Sequence, residues 1–135
     1  MPFVDTNMFL RYLTRDDPVK AERVKDLLDR ARRGHVTLLT TETTIAELVF
    51  ILSSPRLYHL SREEIHRLLL PIINLKGLKV PTRSVFVRAL DLYVTTPMDF
   101  VDALTIAHME RRHVTEVYSY DEHFDRIQGI KRIEP

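Results

Sequence analysis

The strongest constraint on this chain is an alternation. Short apolar runs are separated by longer segments whose apolar residues recur at helical spacing. Phe3–Thr6, Val36–Leu39, Val114–Tyr120 and Ile130–Ile133 read as strands, with a further short run at Leu78–Pro81 after the turn-permitting Gly77. Between them lie the helical segments. Met8–Leu13 reads as a helical turn. Asp17-Pro18 opens a helix through about Ala31, because proline suits a first turn and acids suit its N-terminal end. Val24, Leu27, Leu28 and Ala31 mark its inward face, and Gly34 ends it. A third helix starts near Thr43, carries Ile45, Leu48, Val49 and Leu52, and stops at Ser54-Pro55. Ser61-Arg-Glu-Glu64 is a capping-box pattern, so a helix runs from Ser61 toward Leu70, with Pro71 near its end. Ser84–Val94 and Asp102–Arg112 complete the set. This order predicts an α/β fold, a mainly parallel sheet covered by helices on both faces. Ligands in such folds gather beyond the C-terminal ends of the strands.

At 135 residues, with no linker, repeat or low-complexity stretch, the chain reads as one domain spanning residues 1–135. It has no cysteine, which excludes a disulfide framework, a thiolate nucleophile and a zinc–sulfur site. No secretory pattern opens the sequence and no apolar run is long enough to span a bilayer, so a cytoplasmic location with no membrane partner is expected. A net charge of +1 means that any nucleic acid must meet a local basic patch.

Four acids stand where strands end or helices begin: Asp5, Glu47, Asp102 and Asp121. Glu47 lies among Ile45, Ala46, Leu48 and Val49 in a helix that reads as buried, where an unpaired charge is costly. Taken singly, Asp5 and Asp102 also fit helix N-terminal roles. Taken together, and delivered from distant parts of one domain to one sheet edge, the four suggest an oxygen-ligand site for a hard divalent cation.

Here the sequence resembles a family. Val4-Asp5-Thr6-Asn7, then Ala46-Glu47-Leu48-Val49-Phe50-Ile51-Leu52, then Asp99-Phe-Val-Asp102-Ala-Leu-Thr-Ile-Ala107, then Ser119-Tyr-Asp121-Glu-His-Phe124-Asp125 follow the order of PIN-domain ribonucleases, in particular VapC-type toxins. The resemblance covers nearly the whole chain. It implies a Rossmann-like domain, Mg²⁺ or Mn²⁺ dependence, RNA hydrolysis, homodimers, and neutralisation by a cognate antitoxin protein. It also implies that Asp5, Glu47, Asp102 and Asp121 coordinate the metal, with Asn7 ordering the acidic centre and Ser119 near the fourth acid. Asp99 reads either as a supporting carboxylate or as a helix cap. Asp125 is expected on the outer side of a turn, and Glu42 reads as bonding the exposed amides of a helix start or as reaching the site, with the former favoured.

Substrate contacts are less legible. Arg11, Arg83, Arg88 and Arg112 are phosphate-contact candidates, and Lys76 and Lys79 flank Gly77 in what reads as a basic turn. Tyr58, Tyr118 and Tyr120 are candidates to stack on bases, with packing favoured for Tyr118. His108, His113 and His123 form no compact zinc motif. Asp5-Thr6-Asn7 lacks the second aspartate of the haloacid-dehalogenase pattern, which disfavours an aspartyl-phosphate enzyme. The alternative from another class is a noncatalytic protein-interaction module, with Ile51-Leu52 and Leu68–Leu78 reading either as internal core, the favoured role, or as apolar contact surface for a second copy or an antitoxin.

Overall fold

The computed structural model describes all residues from Met1 to Pro135. Helix α1 spans Thr6–Thr14, α2 Pro18–Arg32, α3 Glu42–Ser53, α4 Arg62–Ile73, α5 Arg83–Thr95 and α6 Phe100–Arg112. The strands are β1 Leu38–Leu39, β2 Leu78–Lys79, β3 Glu116–Tyr118 and β4 Lys131–Ile133, with a 3₁₀ turn at Glu122–Arg126. Every pairing is parallel. Leu38 and Leu39 of β1 lie opposite Leu78 and Lys79 of β2, Phe3 bridges to Leu39, and Glu116, Val117 and Tyr118 of β3 face Lys131, Arg132 and Ile133 of β4. The α/β class and its parallel pairing are therefore as expected.

The strands are shorter than their apolar runs. Phe3–Thr6 contributes one bridge, because Asp5 caps a helix that already begins at Thr6. Its carboxylate accepts a hydrogen bond from the Met8 amide at 3.0 Å. The ladder falls into two pairs, β1 with β2 and β3 with β4. A central parallel strand needs both faces covered. In β3, Glu116 and Tyr118 stand exposed and only Val117 is half-buried, so nothing covers it on two sides.

The helices keep their expected starts. Asp17 and Ser61 accept from the Lys20 and Glu64 amides, and Pro18 occupies the first position of α2. Helix α4 runs past Pro71 to Ile73. The proline removes only the bond to the carbonyl of solvent-facing Arg67, while Ile72 and Ile73 draw the last turn into the core. Thirty buried residues form one cluster around Phe9, Ile45, Leu48, Leu52, Leu69, Phe86 and Leu90. Fully burying each large side chain contributes about 1.5–3 kcal/mol. Leu52, Leu69, Ile72, Ile73 and Leu78 belong to this core, so Ile51-Leu52 and Leu68–Leu78 mostly line the interior. Phe50 is the large apolar residue of α3 that faces solvent, 71% exposed. Gly77 is needed for close approach, since a Cβ there would collide with the Ala31 backbone at the end of α2. No helix is long and apolar enough to cross a membrane.

Candidate active site

Asp102 sits in the first turn of α6, half-buried, and Asp121 follows β3 at the mouth of the 3₁₀ turn. Each carboxylate shifts the titration of the other. Burial is the main cause that pushes the Asp102 carboxyl above its ordinary value; the charge and hydrogen bond of Asp121 add to it, as does the charge of Asp99. Asp121 moves the other way. The backbone amide of His123 holds it below its ordinary value, and the His123 ring adds to this.

The Asp121 turn is built by local bonds. The Asp121 amide donates to Ser119 Oγ at 3.0 Å, and its carboxylate accepts from the His123 amide at 2.9 Å. His123 Nδ1 lies 2.8 Å from the same carboxylate. Ser119 is held in turn: its amide donates to the Ile133 carbonyl and its own carbonyl accepts from Arg132 Nη1 at 3.1 Å. Arg132 also engages Asp125 and Glu134, which fix its charge. Asp125 is thus an ion-pair partner on the outer side of the turn, as its position predicts.

Asp99 is the N-cap residue of α6, yet its carboxylate makes no capping bond. It is left exposed beside the Asp102–Asp121 pair, whose electrostatics it influences. Asp5 caps α1 and Asn7 is exposed in the first turn of that helix. Glu47 departs from expectation: it is solvent-facing, not buried. Ile45, Leu48, Val49 and Leu52 form the inward stripe of α3, and residue 47 projects off it. Its neighbours Ala46, Val49 and Phe50 share a groove of about 950 Å³ with Asp99 and Asp102. Asp5 and Glu47 are not drawn into the pair, and no three acids or histidines converge tightly enough to grip one ion.

Other candidates resolve differently. Glu42 does not serve the helix start, because Thr41 Oγ1 accepts from the Thr44 amide. Instead Glu42 meets His108 Nε2 at 3.2 Å. Arg83 donates to the Leu78 carbonyl, and Arg88 makes a two-pronged pair with Glu110 at 2.9 and 3.1 Å. Both are committed within the fold. The Tyr58 hydroxyl donates to Asp16. Tyr118 is 71% exposed, so it does not pack within this chain's own fold, and Tyr120 is equally exposed beside Asp121. His123 joins the site through the Asp-x-His spacing at the turn, which returns the ring onto the carboxylate.

The family model for the PIN domain matches residues 3–130, nearly the full chain. The chain belongs to the PIN-domain family. No curated protein matches it. PIN domains are generally nucleases and typically bind divalent metals, so a nuclease-type function follows. The carboxylates here have the oxygen chemistry that a hard cation takes, although no three of them converge on one point. Asp102 and Asp121 offer oxygen ligands whose mutual repulsion a cation would relieve, and Asp99 adds a carboxylate that no cap bond occupies.

Proposed function

We propose that this PIN domain is an Mg²⁺-dependent endoribonuclease, with Mn²⁺ able to substitute, acting as the toxin of a toxin–antitoxin pair. The observation that carries the proposal is the Asp102–Asp121 pair, set at the start of α6 and the end of β3 inside a matched PIN domain. Asp102 and Asp121 would hold the ion, with Asp5 and Glu47 completing its ligands directly or through water. Asn7, Asp99 and Ser119 support them. A bound divalent ion supplies a water of lowered pKa and neutralises charge developing on the phosphate.

The chain's own groups do the remaining work. The His123 amide and ring keep Asp121 ionised and aimed, so that it acts as a ligand across the neutral pH range. Ser119 fixes the turn from which Asp121 projects. Tyr120 exposes an aromatic face next to the acids, on which an unpaired base can stack. RNA in single-stranded form is the substrate class this arrangement serves, with 5′-phosphate and 3′-hydroxyl products. The exposed Phe50 and Val101 offer apolar surface for a second copy or for the antitoxin.

A noncatalytic interaction module is the second reading, favoured by the separation of Asp5 and Glu47 from the pair. The two readings part in a cleavage assay on mixed single-stranded RNA with wild type and Asp5→Asn. The nuclease reading expects metal-dependent cuts from wild type alone. Equal cutting by a folded D5N preparation would remove Asp5 from the centre.

A further inference from the structure

Arg62 is the first residue of α4, a position where the helix dipole disfavours a cation. Nothing in α4 explains it. Its guanidinium instead reaches across to the connection between α5 and α6. Nη1 donates to the carbonyls of Tyr93 at 2.9 Å, Thr96 at 3.4 Å and Met98 at 2.5 Å, and Nη2 to that of Pro97 at 3.4 Å. The same guanidinium lies 4.2 Å from the centroid of the Tyr93 ring. Tyr93 meets Phe100 edge-on at 5.8 Å, and Phe100 stacks on Phe86 at 6.4 Å.

Two independent links thus run from one side chain to the first turn of α6. The carbonyl links grip residues 96–98, which deliver Asp99 and Phe100. The aromatic link runs through Tyr93 to Phe100, two residues before Asp102. Met98 and Phe100 are also buried and Thr96 bonds back to Leu92, but Arg62 is the side chain that ties residues 96–98 to another helix, while the Asp99 carboxylate makes no capping bond. A planar, five-donor guanidinium can serve several carbonyls and a ring face at once, whereas a lysine ammonium cannot.

We propose that Arg62 is a positioning residue for the acidic centre: by clamping the α5–α6 connection, it sets the direction in which Asp99 and Asp102 face Asp121. The proposal rests on the reading of this site as a divalent-metal centre. Groups that orient metal ligands typically change metal affinity or activity by roughly 10- to 100-fold when replaced.

The test uses the full chain with Arg62→Lys and Arg62→Gln, each checked for a wild-type circular dichroism spectrum. The first readout needs neither metal nor RNA. Amide hydrogen exchange in EDTA should accelerate at residues 98–102 in both variants, with β1 and β2 unchanged. The second readout is Mn²⁺ affinity by calorimetry, expected to fall at least tenfold in both variants. In cleavage, kcat at fixed subsaturating Mg²⁺ should drop while the KM for RNA holds. Unchanged exchange at residues 98–102 overturns the clamp. Faster exchange with unchanged Mn²⁺ affinity overturns its role at the centre. A wild type that binds Mn²⁺ but cuts no RNA would instead strike at the nuclease reading and leave Arg62's role standing.

Discussion

Replacing Asp102 with asparagine separates the cost of the acidic pair from its use. Neighbouring carboxylates repel, and solvent weakens that repulsion. The Asp121 side chain is well exposed and already partnered by His123, so the repulsion is largely screened. Asparagine keeps the shape of Asp102 but forfeits part of its favourable interaction with the α6 N-terminus. The net expectation in EDTA at pH 8 is a small gain in Tm, no more than roughly 3 °C for a domain of this size. The sign follows from the titration. The folded pKa of Asp102 lies above its ordinary value of 3.8, so its penalty is present above the folded pKa and fades as pH falls through it. The advantage of D102N should therefore shrink toward pH 4. Adding Mg²⁺ should reverse the order, since a ligand at 100 times its Kd stabilises the binder by about 2.7 kcal/mol. Differential scanning fluorimetry in EDTA and in Mg²⁺, across pH 4–8, reads all of this. A D102N protein less stable than wild type in EDTA, or one stabilised equally by Mg²⁺, would refute the reasoning.

Glu47→Gln should leave Tm within about 1 °C, as expected for an exposed helix position away from structural contacts, while cleavage falls by at least 100-fold. Retained activity would place Glu47 outside the centre. Gly77→Ala should destabilise by about 3 kcal/mol, because its Cβ must displace the Ala31 backbone; urea unfolding with an unchanged midpoint would contradict that packing. His123→Ala should raise the Asp121 pKa toward its ordinary value of 3.8, followed by carboxyl-detected NMR titration. Asp121 contributes stability that is present above that ordinary value and lost as pH falls through its depressed folded pKa, so the acid limb of the stability curve should move up with it. An unmoved titration would show that the backbone amide acts alone.

The helices were legible because their signals are local. Asp17-Pro18 and Ser61 announce starts through side chains that cap their own chain, and the spacing of Ile45, Leu48, Val49 and Leu52 names a buried face directly. Strand extents were not, because an apolar run such as Val114–Tyr120 says nothing about what covers it; only Glu116–Tyr118 pairs. Glu47 misleads for a related reason. Its apolar neighbours in sequence lie on the other side of the helix in space. Asp102 and Asp121 could be named from motif order, and the structure brings these two together. Asp5 and Glu47 were named on the same grounds and stand apart from the pair. His123 and Arg62 carry little sequence signal. His123 acts through the shape of a turn, and Arg62 through carbonyls more than thirty residues away, which no local pattern encodes.

The most direct measurement of the central claim is cleavage of a mixed single-stranded RNA pool by the purified chain, in Mg²⁺ and in EDTA, with mapping of the new ends. Discrete cuts bearing 5′-phosphates, present in Mg²⁺, absent in EDTA and absent with Asp5→Asn, are the predicted result. Cuts that persist in EDTA, or none at all from folded protein freed of any bound partner, would contradict a metal-dependent ribonuclease.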